Sequence, residues 1–217
     1  YQYSDFIKDA NGELILHPEL PQPYQRVYPG DAMYQDLNGD NIVDGNDKCV
    51  TGYSNRPEYT FGLNMGFNWK GFSLSMQWTG ATNVDKQYEI DYRIPFTNAG
   101  KRGLLTYFYD GCWTPENQLG AKYPRAAETS ESWNSELSTL WIEDASYLRL
   151  KSLNIGYTIS GKEFLKKIGI NSLGITFSGY NLLTFTPLKY IDPEGVTNNS
   201  GTYPLVKVYS FGLNLNF

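Results

Sequence analysis

Large apolar residues alternate with small or polar residues along the last stretch of the chain. From Tyr209 to Phe217 the sequence reads YSFGLNLNF, and neither of its two parities contains a charged residue. Because successive side chains of a β-strand point to opposite faces, this pattern predicts a strand with one apolar face and one small, polar face. Strands of an outer-membrane β-barrel have such faces, one toward lipid and one toward the lumen. We predict that four residues face lipid: Phe211, Leu213, Leu215 and Phe217.

Further stretches of the chain alternate with the same period of two residues. The clearest two cover 58–70 and 72–79, and the short turn Lys70-Gly71 joins them into a predicted hairpin. A strand of a soluble sandwich also alternates, but its solvent face usually contains charged side chains. Neither face of the first of these stretches is interrupted by charge, which favours a membrane barrel over an edge strand of a sandwich.

Two more strands are predicted over 147–160 and 173–185. In the first of them, Leu153 lies on one parity of apolar residues, whereas Leu150 lies on the other. Such a change of parity indicates either a β-bulge or an upper half that stands above the membrane.

Three long segments without a regular period accompany these strands: 1–56, 97–139 and 187–203. Counted back from Phe217, every short turn falls on one side of the sheet and every long segment on the other. The short connection after 147–160 contains Ser160 and Glu163, which predict the capping box of a short helix. We therefore predict an all-β fold, an antiparallel transmembrane β-barrel segment of about five strands with long extracellular loops.

The composition suits a β-rich membrane chain and argues against several other classes. Aromatic residues make up 16% of the 217 residues and charged residues 19%. The sequence has no apolar run of roughly 18 residues, so no transmembrane helix is predicted. The net charge of −5, without a basic patch, argues against nucleic acid as a partner.

Catalytic chemistry has little support in the sequence. The single histidine, His17, lies beside Pro18, so Ser-His catalysis or a histidine-bound zinc would rest on that residue alone. A glycosidase needs two carboxylates facing one cleft, and Glu89 and Asp91 are ordinary loop or strand-end acids. We therefore expect that the protein is not an enzyme.

Two cysteines, Cys49 and Cys112, form no metal-binding motif. They are either two unrelated thiols or one disulfide between loops on the same side of the sheet. The sequence leaves both alternatives open.

The segment 36–47 reads DLNGDNIVDGND and has the ligand spacing of an EF-hand calcium loop. The glycine usual at the sixth position is Asn41, a residue that tolerates the left-handed backbone conformation. We predict that one structural Ca²⁺ on the outer side is held by side chains and one backbone carbonyl from six residues: Asp36, Asn38, Asp40, Ile42, Asp44 and Asp47. The competing interpretation is a solvated acidic turn without an ion.

Several short motifs, in the same order along nearly the whole chain, resemble the C-terminal part of SusC-like TonB-dependent outer-membrane transporters. They are PGD at 29–31, YQDLNGD at 34–40, WTPEN at 113–117, AKYPR at 121–125, IEDASYLRLK at 142–151, GYNLLTFT at 179–186, YIDPE at 190–194 and YSFGLN at 209–214. Together these motifs are highly specific for the family. Cys112 before WTPEN and Cys49 after the acidic loop depart from the pattern.

The resemblance implies a large plugged barrel of about 22 strands, of which this chain, 1–217, would form roughly the last five. The plug and the TonB box of the family have no counterpart in this sequence, so barrel closure and contact with TonB would depend on the remainder of the same barrel. The resemblance also implies the outer membrane of a Gram-negative bacterium, with the long loops extracellular and the C-terminus periplasmic.

Family members import oligosaccharides, or in some cases peptides, together with a SusD-like surface lipoprotein that lids the barrel. The matched motifs belong to the barrel and its loops, and they leave the substrate open between these two classes. Aromatic residues of the long loops are the expected contacts with partner or ligand, although some will only pack the loops against each other. They are Tyr107, Tyr109, Trp113, Tyr123, Trp133, Tyr190 and Tyr203.

A soluble, calcium-stabilised β-sandwich that binds glycans through its aromatic residues is the alternative function. It predicts a charged outer face on each strand, and the sequence lacks that charge. Extraction distinguishes the two, because a barrel requires detergent and a sandwich does not.

Overall fold

A computed structural model describes residues 1–96, 103–127, 132–195 and 205–217. The chain divides into two compact units, each built from two segments. The loop unit consists of Tyr1–Thr51 and Tyr88–Ile142, and the sheet unit consists of Gly52–Gln87 and Glu143–Phe217. Each unit is described separately below.

The sheet unit is built on one antiparallel sheet of five strands, numbered here in chain order. They are β1 (Tyr59–Trp69), β2 (Phe72–Thr82), β3 (Tyr147–Ser160), β4 (Ser172–Phe185) and β5 (Val208–Asn216). The order across the sheet is β5-β4-β3-β2-β1. All five strands agree with the stretches predicted from the alternating pattern.

The register aligns the apolar residues of all five strands on one face and the small, polar residues on the other. One row across the apolar face consists of Trp69, Phe72, Tyr157, Ile175 and Leu213. The adjacent row on the opposite face consists of Asn68, Ser73, Gly156, Thr176 and Gly212. Because neighbours in a row lie side by side, the sheet has one continuous apolar face and one polar face.

A β-bulge explains the change of parity in β3. The pairing with β2 moves from Ser152 directly to Leu150 and skips Lys151. The extra residue returns Leu150 to the same face as Leu153, which confirms the bulge rather than a change of environment. β4 has a matching irregularity between Tyr180 and Leu183.

The connections at the short-turn end are compact. Lys70 and Gly71 both have positive φ, 46° and 87°, as the central residues of a type I′ hairpin turn require. The helix Glu163–Lys167 follows β3, but its N-cap is Lys162 and no side chain caps it. The predicted capping box at Ser160 is therefore wrong, because Ser160 remains paired with Ser172 in the β3–β4 ladder.

Short elements make up the regular structure of the loop unit. Phe6–Lys8 pairs with Leu14–Leu16 in antiparallel fashion, and Gln22–Pro23 pairs with Ile42–Val43 in parallel. The helices are Ile90–Arg93, Thr106–Gly111 and Ser132–Ser135, with 3₁₀ turns at Tyr3–Asp5, Gly45–Asp47 and Thr139–Trp141. The sheet unit has a further two-stranded sheet, formed by Asp85–Gln87 and Ile142–Asp144. None of the helices in the described ranges has the length and apolar character needed to cross a bilayer.

Two apolar clusters form the core of the loop unit. One is formed by residues of the N-terminal segment together with Trp133, which is 3% exposed. The other surrounds Trp141, which is fully buried, and includes Phe108 and Cys112. Large aromatic side chains therefore supply most of the buried apolar area in a unit that has little regular secondary structure.

Candidate functional site

The four C-terminal residues predicted to face lipid lie on the apolar face of the sheet. Phe211, Leu213 and Leu215 belong to β5, and Phe217 follows it directly. Their exposed fractions are 82%, 68%, 43% and 76% in chain order. An apolar surface of this extent, continued on all five strands, is unfavourable in water and requires an apolar environment or a partner.

The paired residues of the polar face are mainly serine, threonine, asparagine and glycine, and one of these paired residues is charged. This residue is Arg149, which pairs with Thr79 and Thr184 on the neighbouring strands and is 2% exposed. A buried guanidinium needs partners for its donors, because desolvation of an unpaired charge is costly.

The segment after β4 provides those partners. Arg149 donates from Nη2 to Asp192 Oδ2 at 2.6 Å and from Nη1 to Glu194 Oε2 at 2.5 Å. Its Nε donates to Thr184 Oγ1 at 2.9 Å. Lys151 Nζ also donates to Glu194 Oε2, at 2.7 Å. We call these five residues the Arg149 cluster.

The charges of this cluster affect the protonation of its members and its neighbours. Burial alone would raise the pKa of Glu194, but the hydrogen bond from Lys151 and the charge of Arg149 outweigh it, and the pKa is lowered. Lys86 is 5% exposed and donates from Nζ to the Asp192 and Gly195 carbonyl oxygens. Burial lowers the pKa of Lys86, opposed by the carboxylates of Asp192 and Glu194.

The loop unit has an equivalent buried ionic centre at Asp31. Its Oδ1 accepts hydrogen bonds from Arg125 Nε at 2.6 Å and Asn134 Nδ2 at 2.8 Å, and its Oδ2 accepts from the Tyr28 N–H at 2.7 Å. Gly30, with φ of +93°, leaves space for the indole of Trp113, since an added Cβ would lie 2.5 Å from Trp113 Cε3. We call Asp31, Arg125, Asn134 and Tyr28 the Asp31 cluster.

A cavity of about 390 Å³ lies beside the Asp31 cluster within the loop unit. Aromatic rings and long polar side chains share its lining, among them Tyr34, Trp113, Gln118, Lys122 and Tyr123. Tyr34 donates its hydroxyl to the Trp133 carbonyl at 2.7 Å, and burial raises its pKa to about 12. This hydroxyl therefore stays protonated at physiological pH and acts as a hydrogen-bond donor.

The loop aromatics predicted to contact a partner divide into buried and exposed groups. Trp113 and Trp133 are 9% and 3% exposed, and their indole N–H groups donate to Gln2 and to the Ala32 carbonyl. Tyr123 stacks on Phe108 and Trp141 with interplanar angles of 16° and 9°.

The remaining aromatics have more varied positions. Tyr107 packs edge-on against Tyr123. Tyr109 and Tyr190 are 69% and 43% exposed. Tyr203 lies outside the described residues. Only Tyr109 and Tyr190, among the described members of the predicted set, present a large exposed ring surface.

The acidic loop 36–47 is organised by bonds from its own backbone. Asp36 accepts N–H groups of Gly39 and Asn41, and Asn41 has a φ of 63°, as the sequence predicted. Asp47 accepts the N–H groups of Asp44 and Leu37, and these bonds lower its pKa. No group of three or more His, Cys, Asp or Glu side chains is placed to hold a metal ion anywhere in the described ranges.

The cysteines and the histidine form no further site in the described ranges. Cys49 is exposed, Cys112 is buried, and both are free thiols, so the disulfide alternative does not hold in this structure. Burial raises the pKa of Cys112, which makes its thiol unreactive at neutral pH. His17 Nδ1 accepts the Glu19 N–H at 3.3 Å, a local turn contact.

Comparison with known proteins gives three curated relatives from Formosa agariphila. This chain is 27% identical over 202 residues to TonB-dependent receptor P3 and 30% identical over 202 residues to TonB-dependent receptor P26, each match covering 87% of the chain. TonB-dependent receptor P39 is 26% identical over 198 residues. The chain corresponds to the C-terminal portion of TonB-dependent receptors. It spans about one fifth of the length of these relatives, 19% of P3 and 20% of P26.

Solved structures show a similar fold, and no family model matches the chain. The RagAB peptide importer in its open-open state superposes with a TM-score of 0.59 at 25% identity, over 82% of this chain and 19% of that chain. The RagAB peptide transporter gives 0.62 at 24% identity, over 84% and 20%. These matches confirm an antiparallel, all-β barrel portion, and none of the names describes an enzyme. TonB-dependent receptors are outer-membrane proteins.

Proposed function

We propose that this chain forms the C-terminal wall and outer loops of a SusC-like importer that takes up oligomeric nutrients through the outer membrane. The single observation that carries the proposal is the five-strand register, which separates a continuous apolar face from a small, polar face. A wall between lipid and an aqueous lumen needs these two faces. A soluble sandwich module would expose the apolar face to water, which disfavours the alternative function.

The substrate belongs to one of two classes, peptides or oligosaccharides. The likeness to RagAB, which is described as a peptide importer, supports the peptide class. The test is uptake of fluorescent short peptides and of oligosaccharides by cells that lack the receptor gene and by cells that have it restored. Loss of uptake of one class in the deletion, restored by the gene, is expected. Unchanged uptake of both classes in the deletion would contradict the proposal.

A surface lipoprotein of the SusD type is the proposed partner of the long loops. Exposed aromatic and aliphatic side chains are typical interface anchors, and Tyr109 and Leu119 are 69% and 96% exposed. Shortening 97–139 would also remove the buried side chains of Trp113 and Trp133, so a surface variant is a cleaner test.

We expect Tyr109→Ala with Leu119→Ala to reduce co-purification of the lipoprotein while the barrel still assembles. Tyr24→Ala with Val50→Ala, which also removes two exposed apolar side chains, serves as the control. Full retention of the lipoprotein by the Tyr109 and Leu119 variant would exclude this surface from the interface. Energy coupling through TonB is proposed for the assembled receptor and depends on its other parts.

Calcium binding by the acidic loop is part of the proposal. Asp36 accepts two backbone N–H groups of the loop, and Asn38 and Asp40 accept one each. An ionised carboxylate offers about four lone-pair sites and an amide oxygen about two, which leaves capacity for a cation. Hard oxygen donors at this spacing suit Ca²⁺, with ligand distances of about 2.3–2.6 Å. The ion would hold the loop in one conformation on the outer side.

Calorimetry of the assembled receptor with added Ca²⁺ tests this site. Wild type is expected to bind and to melt at a higher temperature, since a ligand at about 100 times its Kd adds roughly 2.7 kcal/mol. Asp36→Ala with Asp40→Ala should abolish both effects. Asp9→Asn, at another exposed aspartate turn, should retain them. No calcium-dependent heat in wild type would leave the segment as a solvated acidic turn.

A further inference from the structure

The segment 186–195 folds back onto the polar face of the sheet. Leu188 is 5% exposed and packs in one apolar cluster with Ala81, Val84 and Ala145. Ala81 pairs with Tyr147, and both lie on the parity of Arg149, Ser73 and the other polar-face residues. The segment therefore covers the end of the polar face that lies away from the short turns.

The Arg149 cluster fixes this segment through both of its carboxylates. Asp192 and Glu194 each bind one terminal nitrogen of the same guanidinium, a fork geometry that Lys cannot reproduce. Tyr147 donates its hydroxyl to Glu194 Oε1 at 3.1 Å, and Lys86 holds the Asp192 carbonyl. The Glu194 N–H also bonds Asp192 Oδ1 at 2.8 Å, so the two acids form one closed turn.

The position of this turn has a consequence for the lumen. The apolar face of the barrel wall is its lipid side, so the polar face, and with it the folded-back segment, is on the lumen side. A mobile lid is expected to have few buried contacts, whereas this segment has a buried ionic centre and a buried leucine.

We propose that residues 186–195 form a fixed rim that projects into the lumen on the long-loop side, and that this rim stays closed throughout transport. The inference rests on the proposed importer, because it assigns a lumen to the polar face. In this arrangement Lys189 and Tyr190, both exposed, keep fixed positions at the outer opening of the lumen, and a substrate must move past them.

Tryptic cleavage after Lys189 reports whether the rim opens. The assembled receptor in intact cells is treated with trypsin, in growing cells and in cells de-energised with a protonophore. We expect wild type to resist cleavage at this site equally in both conditions. Cleavage that appears only in energised cells would show that the rim opens in transport, and would overturn the proposal.

The anchoring role of Arg149 is tested with Asp192→Asn plus Glu194→Gln. Because cleavage follows the population of the open form, losing both charges should accelerate it roughly a hundredfold. Asp110→Asn plus Glu116→Gln makes the same charge change at two exposed acids and should leave cleavage unchanged. Arg149→Lys should give an intermediate rate. Unchanged resistance of the Asp192 and Glu194 variant would contradict the assigned anchor.

Two controls separate other causes of failure. The heat-dependent electrophoretic mobility of the barrel shows that each variant is folded before its cleavage is compared. Cleavage needs no substrate, so a receptor that imports nothing still reports on the rim, and failure of the proposed function is distinguishable from failure of this inference.

Discussion

At the residue scale, two buried ionic groups explain why separate motifs occur together. Asp31 of the PGD motif binds Arg125 of the AKYPR motif, and Gly30 makes room for Trp113 of the WTPEN motif. Arg149 of the IEDASYLRLK motif binds both acids of the YIDPE motif. These motifs therefore have a structural role, because each brings distant segments of its own unit together.

Replacement of Asp31 by Asn tests this structural role. The change removes the carboxylate that binds Arg125 Nε and Asn134 Nδ2, and breaking a buried pair costs about 3–5 kcal/mol. The side chain of Asp31 is 2% exposed and that of Arg125 24%, so solvent screens the pair little. Glu13→Gln, at the exposed pair with Arg26, should cost less than about 1 kcal/mol. Equal melting temperatures for the two variants would argue against the Asp31 cluster as a structural centre.

Replacement of Leu213 and Asn214 by Arg compares the two faces of β5. Near the midplane, Arg on the lipid face should cost about 2–4 kcal/mol, whereas Arg on the lumen face should cost much less. The measurement is folding of the assembled barrel into phospholipid vesicles at increasing urea concentration. Equal tolerance at both positions would contradict the assignment of faces.

The alternating pattern showed on which face of the sheet each strand residue lies, but it gave no information about which loop residues are buried. Parity requires only local sequence, so Phe211 and Leu213 were placed correctly on one face. The exposure of Trp113 and Trp133 depends on segments far apart in sequence, which pack around them. The Arg149 cluster had a visible signal, because Arg149 and Lys151 interrupt an uncharged strand and two acids follow in the next loop.

At the element scale, register and turn chemistry agree in the β1–β2 hairpin. Gly71 has φ of +87°, and a Cβ at this position would lie 2.4 Å from the Thr158 carbonyl oxygen. The short helix after β3 shows the opposite situation, since pairing in the ladder overrode the local capping signal at Ser160. A bulge was predictable from the change of parity, whereas the helix boundary depended on tertiary pairing.

Replacement of Gly71 by Ala should destabilise the hairpin. The left-handed backbone costs an L-residue about 1–2 kcal/mol, and the clash with Thr158 adds to this cost. Lys70→Asn should be neutral or stabilising, because Asn-Gly is the preferred pair for this turn. Thermal unfolding of the assembled receptor measures both. An unchanged melting temperature for the alanine variant would show that the turn relaxes without cost.

Acid should release the rim. The folded-state pKa of Glu194 lies below its ordinary value of 4.5, so its stabilising contribution is complete above that pH. The contribution is lost as pH falls below 4.5 through the lowered pKa. Hydrogen exchange of the 186–195 amides, corrected for intrinsic rates, should therefore accelerate at low pH. Glu194→Gln should remove this dependence, and a pH-independent wild type would exclude the carboxylate as its origin.

At the scale of the whole molecule, the sheet has two edges in the described part of the chain. β1 and β5 each pair with one neighbour, and unpaired edges of this length normally invite further strands. The remainder of the receptor is the proposed source of those strands. This architecture could be predicted from the sequence. The lengths of the strands, and the alternation of short turns on one side with long segments on the other, can both be recognised along the whole chain.

The close spacing on the polar face constrains how this wall can change during evolution. An added Cβ at Gly156 would lie 2.5 Å from Ser73 Oγ, and one at Gly212 would lie 2.5 Å from Thr176 Oγ1. The lipid side imposes no such fit, because any large apolar side chain satisfies a fluid hydrocarbon. Divergence among descendants of this wall should therefore be uneven. Leucine, isoleucine and phenylalanine should exchange freely at lipid-facing positions, whereas residue size should stay almost constant at positions of the polar face.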